Sequence, residues 1–165
     1  NHESPIRGET FVTKTIIQGL VRIKQGKQKK LFLGNLYSKR DWGHARDYVE
    51  AMWKMLQHNR PEDFVIGTGK TFTIKDFVNR AAKKINLKIK WIGNGIKEKA
   101  INIKDKKVII ECKKRYFRPL EVDYLKGNAL KAKRILKWTP KISVNNLIDE
   151  MIKHELENSN DQYKQ

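Results

Sequence analysis

The sequence has few of the residues that cross-link a protein or anchor it in a membrane. Its 165 residues include a single cysteine, Cys112, which cannot form an internal disulfide and favours a reducing compartment. No apolar run approaches the roughly 18 residues that a membrane span needs, and no signal peptide is recognisable at the polar start. We therefore expect a cytoplasmic protein without a membrane partner.

Motifs for metals and for nucleotide hydrolysis are also scarce. The four histidines share no ligand-type spacing with one another or with the cysteine, so we expect no metal. The run Gly67-Thr68-Gly69-Lys70-Thr71 invites comparison with a P-loop, but Phe64 stands where that motif requires its first glycine. No serine nucleophile with a base and an orienting group can be assembled from local signals either.

Acidic residues are half as numerous as basic ones, 18 against 36, which gives a net charge of +18. Such a charge suggests a polyanionic partner. Most of the basic residues are lysines spread along the whole chain, however, whereas specific recognition of phosphates and bases relies on the planar fork of arginine. We interpret the charge as a solvated surface and do not favour nucleic acid as the main partner.

Apolar spacing predicts an α/β protein with parallel strand pairing. Thr10 or Thr13 is a candidate cap for the first helix, and Asp47 with Glu50 has capping-box spacing for the second. Residues 93–114 read as a surface excursion that contains two short strands. The predicted helices span 12–23, 47–57, 73–85, 128–136 and 143–157, and the predicted strands span 31–33, 64–66, 87–92, 101–103 and 108–110.

Chemistry concentrates at the start of the chain and in two arginine-rich loops. The stretch 1–9 offers ring nitrogens, carboxylates and a guanidinium, and resembles the middle of a binding site more than an ordinary N-terminus. Arg40-Asp41-Trp42 and Arg115 to Glu121 each place arginine beside an aromatic residue and a carboxylate. Arginine suits a diphosphate and glutamate suits ribose hydroxyls, while Lys14 could add a point charge. The loops suggest a sugar-nucleotide or dinucleotide site, although ordinary surface ion pairs would look similar.

Several segments resemble the GDP-mannose 4,6-dehydratase family, within the extended short-chain dehydrogenase/reductases. The resemblance covers nearly the whole chain, to about residue 157. It is carried by Asn1-His2-Glu3-Ser4-Pro5, Arg7 to Lys14, Gly34-Asn35-Leu36, Arg40 to Ala45, Asp47 to Trp53, Arg115-Tyr116-Phe117-Arg118-Pro119 and Glu121-Val122-Asp123. It implies the C-terminal portion of a Rossmann-like fold, mainly the substrate-binding lobe, with the last elements of the Rossmann sheet around 40–67. Residues 158–165 would form a polar tail.

The resemblance also implies a reaction and a set of site residues. The family converts GDP-mannose to GDP-4-keto-6-deoxymannose and water by internal hydride transfer through NADP, a lyase reaction on the route to GDP-fucose. Its catalytic residues match nothing here and are expected upstream of Asn1, so we expect a fragment that is inactive or poorly soluble alone. By resemblance, His2 and Arg7 contact NADP. The positions around the GDP-sugar are Asn1, Lys14, Arg40, Arg118 and Glu121.

The chain departs from the family pattern at three places. Ile6 stands where a second arginine is frequent, which could weaken cofactor or subunit contacts. Tyr37 replaces an aspartate, and Lys113-Lys114 replaces Asp-Pro; we expect both changes to affect the surface only.

Three hypotheses follow for the function of the chain. The first is the substrate-binding part of a dehydratase that assembles as a homodimer or homotetramer. The second is a non-catalytic sugar-nucleotide-binding module from a truncated paralogue. The third, a nucleic-acid binder, is supported by charge alone.

Overall fold

Three helices share one hydrophobic core with a four-stranded mixed sheet. The computed structural model describes residues 1–117 and 120–161. Its helices are α1 (Val12–Lys24), α2 (Ala45–Leu56), α3 (Ile74–Lys84), α4 (Leu130–Ile135) and α5 (Val144–Asp161), with short 3-10 turns at Gly95–Lys97 and Lys114–Tyr116. Its strands are β1 (His2–Glu3), β2 (Leu31–Leu33), β3 (Lys39–Arg40), β4 (Gly43–His44), β5 (Phe72–Thr73), β6 (Ile89–Ile92), β7 (Lys99–Asn102) and β8 (Val108–Cys112). No helix in these two ranges is long and apolar enough to cross a bilayer.

The main sheet has the order β2-β8-β7-β6. β2 pairs with β8 in parallel, whereas β8, β7 and β6 are antiparallel to one another. The expectation of parallel pairing is therefore confirmed for one ladder of this sheet and wrong for the other two. The prediction of a surface excursion over 93–114 is wrong as well, because β8 lies inside the sheet with Ile109 4% and Ile110 0% exposed.

The core lies between this sheet and helices α1, α3 and α5. The predicted apolar face of α1 is confirmed, since Ile16, Ile17 and Leu20 are at most 1% exposed. The helix begins after Phe11, whose side chain makes no capping bond, so the expected threonine cap is wrong. Thr13 is already helical, and its hydroxyl donates to Glu3 instead.

A second, smaller cluster joins α2 to α4 and to the chain around residue 65. Ala51, Ala132, Leu136 and Trp138 are its buried members. Residues 64–66, predicted as a strand, form none here, because a strand requires a ladder partner and no described strand pairs with them. The last helix runs to Asp161, beyond the predicted end at 157.

The cap of α2 differs from the prediction. His44 caps this helix by accepting a hydrogen bond from the Arg46 amide. Asp47 lies inside the first turn, and its Oδ2 accepts instead from the backbone amides of Lys141 and Ile142, each at 2.9 Å. The carboxylate therefore fastens the chain before α5 to α2.

Candidate functional site

A cleft of about 550 Å³ opens where the N-terminal segment, the end of β2 and two loops meet. Four of the residues that the sequence singled out line it: Asn1, Arg7, Arg40 and Glu121. They come from stretches that are far apart in sequence. The fold therefore brings the polar N-terminus and both arginine-rich loops to one place.

Arg40 and Glu121 form an ion pair on the cleft wall. Nη2 of Arg40 lies 2.8 Å from Oε1 of Glu121, and the two side chains are 15% and 21% exposed. Nη1 donates to the Lys39 carbonyl at 2.9 Å. Since a guanidinium has five N–H donors, these contacts orient it without exhausting it. The pair presents a cation and a carboxylate side by side, which suits a ligand that carries both phosphate and hydroxyl groups.

Arg7 also lines the cleft. Its guanidinium is stacked 3.4 Å from the centre of the Phe11 ring, and its Nε is 3.3 Å from Oε2 of Glu3. That Nε is buried and makes no hydrogen bond with any described residue. Glu3 is 3% exposed and accepts from the Thr13 hydroxyl at 2.6 Å. Burial raises the pKa of Glu3, opposed by the Thr13 bond and the Arg7 charge.

Two other predicted residues, His2 and Lys14, do not line this cleft. His2 is exposed, with its ring 5.5 Å from that of Tyr48 on α2. Lys14 is buried, and its Nζ donates to Glu155 at 3.1 Å and to the Pro5 carbonyl at 3.0 Å. Arg118 falls outside the described residues. The structure thus gathers four of the six predicted residues that it describes and assigns Lys14 an internal contact.

Sequence reasoning missed the close backbone approach that shapes the cleft floor. A Cβ atom on Gly34 would lie 2.3 Å from the carbonyl oxygen of Tyr116, so only glycine fits there. The Tyr116 side chain is 45% exposed at the cleft, and Arg115 donates to its hydroxyl at 2.7 Å. The sequence showed Gly34 and Asn35 as part of a segment that resembles the family, but it gave no sign of this backbone contact.

Asp41 was also missed as an individual residue. Its Oδ1 accepts from the amide and hydroxyl of Thr68, at 2.9 and 2.5 Å, and its Oδ2 accepts from the amides of Gly69 and Gly127, at 2.9 and 3.0 Å. It is 4% exposed. One carboxylate therefore fastens two distant loops beside the Arg40 strand.

Those loops border a second cavity, of about 670 Å³, lined by residues such as Thr68, Lys126 and Lys133. None of the six predicted site residues that the structure describes lines it. Within the described part of the chain, no group of three or more histidine, cysteine, aspartate or glutamate residues could hold a metal ion. The 550 Å³ cleft is therefore the better candidate site.

The expectation that Tyr37 affects only the surface is wrong. Its hydroxyl donates to Glu98 at 2.7 Å, and Glu98 is 2% exposed and also paired with Lys75. The bond to Glu98 raises the pKa of Tyr37. Lys113 also has more than a surface role, since its Nζ lies 5.3 Å from the ring centre of Phe32, a residue that lines the cleft.

Residues 1–151 match the model of the family described as GDP-mannose 4,6 dehydratase. The chain belongs to this family. It is 50% identical over 157 residues to the GDP-mannose 4,6 dehydratase of Dictyostelium discoideum, covering 95% of this chain and 44% of that protein. The Drosophila melanogaster GDP-mannose 4,6 dehydratase is 48% identical, with 95% and 40% covered. The chain spans less than half the length of the curated relatives it matches.

Solved structures confirm the fold expected for this family. RMD from Pseudomonas aeruginosa, complexed with NADPH, superposes with a TM-score of 0.77 at 18% identity, over 96% of this chain and 46% of that one. The dTDP-glucose 4,6-dehydratase from Bacillus anthracis, in complex with NAD, gives 0.72 at 20% identity, over 97% and 43%. The α/β fold is that of the C-terminal portion of an extended short-chain dehydrogenase/reductase, as the sequence predicted.

Proposed function

We propose that this chain is the sugar-nucleotide-binding part of a GDP-mannose 4,6-dehydratase, a lyase that forms GDP-4-keto-6-deoxymannose and water. The observation that carries the proposal is the meeting of Asn1, Arg7, Arg40 and Glu121 on one cleft in a chain of this family. Relatives that carry this name match along nearly the whole chain.

The cleft residues divide the recognition of GDP-mannose between charge and hydrogen bonding. Arg40 would hold the diphosphate with the N–H groups that its contacts with Glu121 and Lys39 leave over. Glu121, already oriented by Arg40, would accept hydrogen bonds from ribose hydroxyls. Asn1, on the same cleft, would bind the sugar through its amide. For Lys14 and Arg118, the proposed proximity to the GDP-sugar rests on the family resemblance alone.

The residues assigned to the cofactor would bind NADP. Arg7 lines the cleft, and since its Nε pairs with Glu3, its Nη groups would be the donors for a phosphate oxygen. His2 presents an exposed ring 5.5 Å from that of Tyr48 on α2 and is not among the residues that line the cleft. Bound NADP would supply the hydride acceptor and donor of the reaction. The residues that move protons at the sugar are expected outside this chain, so the isolated chain would bind without turning over.

The uncovered side of α2 supports the proposed division of the protein. Val49, Met52, Trp53 and Leu56 are 53–82% exposed along one face of the helix. Next to α2, β1 and β4 form a parallel ladder of only two residues. Both features fit a cofactor-binding sheet, around residues 40–67, that the rest of a longer protein completes. Assembly into a dimer or tetramer and a cytoplasmic location belong to the same proposal.

Titration calorimetry of the chain with GDP and GDP-mannose tests the binding part of the proposal. We expect Arg40→Gln and Glu121→Gln each to weaken GDP about tenfold to a hundredfold, because charge-assisted bonds contribute about 1.5–3 kcal/mol. Arg134→Gln, at an exposed arginine of α4, is the matched control and should bind as the parent does. Equal affinity for UDP-glucose, or no effect of the cleft substitutions, would contradict the assignment.

The reaction itself is tested on the whole gene product. An in-frame glycine-rich turn and a Tyr-x-x-x-Lys pair upstream of Asn1, with NADP-dependent conversion of GDP-mannose, would support the dehydratase. A start codon immediately before that of Asn1, with GDP-mannose binding and no conversion, would favour the non-catalytic module instead.

A further inference from the structure

A buried ion pair lies behind the N-terminal wall of the cleft. Nζ of Lys14 is 3.1 Å from Oε2 of Glu155, and the side chains are 7% and 9% exposed. Removing either partner would leave the other charge buried and uncompensated, which is strongly unfavourable. Glu155 is on α5, beyond residues 1–151 that the family model matches.

The same ammonium group holds the backbone of the N-terminal segment. Lys14 Nζ donates to the Pro5 carbonyl at 3.0 Å. Pro5 is inside a turn that the Arg7 amide closes by donating to the Ser4 carbonyl, also at 3.0 Å. The side chain of Arg7 leaves this turn directly for the cleft. The position of the guanidinium therefore depends on a turn whose Pro5 carbonyl accepts a hydrogen bond from Lys14.

We propose that Glu155 is a positioning residue for the cleft. Through Lys14 it holds the Pro5 carbonyl, and so keeps the Ser4–Arg7 turn and the Arg7 guanidinium in place. Without Glu155, the buried ammonium of Lys14 moves toward water to avoid desolvation, and the carbonyl loses its donor. The turn then opens more often, although α1 and α5 keep their apolar contacts.

Amide hydrogen exchange followed by mass spectrometry, on the 165-residue chain at low micromolar concentration, measures this opening without a ligand. In Glu155→Ala, we expect the peptide that contains the Arg7 amide to exchange at least tenfold faster than in the parent. Glu157→Ala is the matched control, because Glu157 is on the same helix but is 60% exposed and makes a surface ion pair, 3.9 Å from Lys153. It should leave exchange at Arg7 unchanged.

A double variant separates positioning from general stability. Lys14→Met with Glu155→Leu removes both charges and should recover the melting temperature lost in Glu155→Ala, since apolar replacement of a buried pair is often neutral or stabilising. The double variant still lacks the donor for the Pro5 carbonyl, so we expect exchange at Arg7 to be as fast as in Glu155→Ala.

Two results would overturn the inference. One is parental exchange at Arg7 in Glu155→Ala; the other is full recovery of slow exchange together with melting temperature in the double variant, which would show a purely structural pair. Exchange at Arg7 is measured without a ligand, so this test does not depend on the proposed function. Failure of the parent chain to bind GDP would count against the proposed function alone.

Discussion

Replacement of Asp41 by asparagine tests the clamp that joins the two loops beside Arg40. The substitution keeps the size of the side chain and removes one acceptor oxygen. If the remaining oxygen faces Thr68, the new amide group meets the N–H groups of Gly69 and Gly127, which now bond to Oδ2 at 2.9 and 3.0 Å. Four donors converge on the carboxylate in the parent, and only two can be satisfied in the variant.

The expected cost follows from those two unsatisfied donors. A buried donor without an acceptor costs about 1–3 kcal/mol, so Asp41→Asn should lower the free energy of unfolding by about 2–4 kcal/mol, given that the loops are partly open to water. For a chain of this length each kcal/mol shifts the melting temperature by about 2–4 °C. We therefore expect the variant to melt about 5–15 °C below the parent.

Thermal unfolding followed by circular dichroism measures the difference. The matched control is Asp149→Asn, because Asp149 is 47% exposed and pairs with Lys84 at 2.7 Å. A surface pair of this kind contributes about 0–1 kcal/mol. A difference of about 2 °C or less corresponds to a free-energy change of under about 1 kcal/mol. If Asp41→Asn melts that close to the control, the clamp is refuted.

Three further perturbations address the cleft floor, the exposed helix face and a buried acid. Gly34→Ala would place a Cβ 2.3 Å from the Tyr116 carbonyl, so we expect at least tenfold weaker GDP binding by calorimetry, and parental affinity would contradict it. Trp53→Lys with Leu56→Lys removes side chains that are 60% and 82% exposed and should reduce self-association in sedimentation velocity; unchanged sedimentation would count against an apolar contact surface. Burial raises the pKa of Glu3 above 4.5, so the folded state binds its proton more tightly and loses stability as pH rises through that pKa. Relative to the parent, Glu3→Gln should gain unfolding free energy between pH 4 and pH 8 in urea melts, whereas a constant difference would show that the acid titrates normally.

Helices whose stability comes from one apolar face were predictable from the sequence. The spacing of Ile16, Ile17 and Leu20 identified α1. Thr73 and Asp76, three residues apart, cap α3 as a complete capping box, a pattern that is visible in local sequence. The cap of α2 was not predictable, because the Asp47 carboxylate binds backbone amides far along the chain. Local spacing carries no information on such a partner.

Strands were harder to predict because their partners are remote. β8 was assigned to a surface excursion, yet its parallel partner β2 makes it a central strand. Residues 64–66 have the apolar pattern of a strand and form none, since pattern alone supplies no ladder.

The site was partly predictable. Arginine beside a carboxylate pointed to Arg40 and Glu121, which do meet. Resemblance added Asn1 and Arg7 to the same cleft. Lys14, in contrast, is buried and does not line the cleft, because its ammonium group pairs with Glu155 at the far end of the chain. No local motif encodes that pairing.

The parallel ladder between β2 and β8 also sets the order in which the chain can fold. Leu31 pairs with Ile110, which is far away in the sequence, whereas β7 and β8 are close in sequence and form a hairpin. Closing so long a loop costs entropy before any contact compensates it, so the rate-limiting step should be the docking of β2 on the completed hairpin. Because the end of β2 also forms one wall of the cleft, the cleft would assemble late, and binding competence would mark the finished fold.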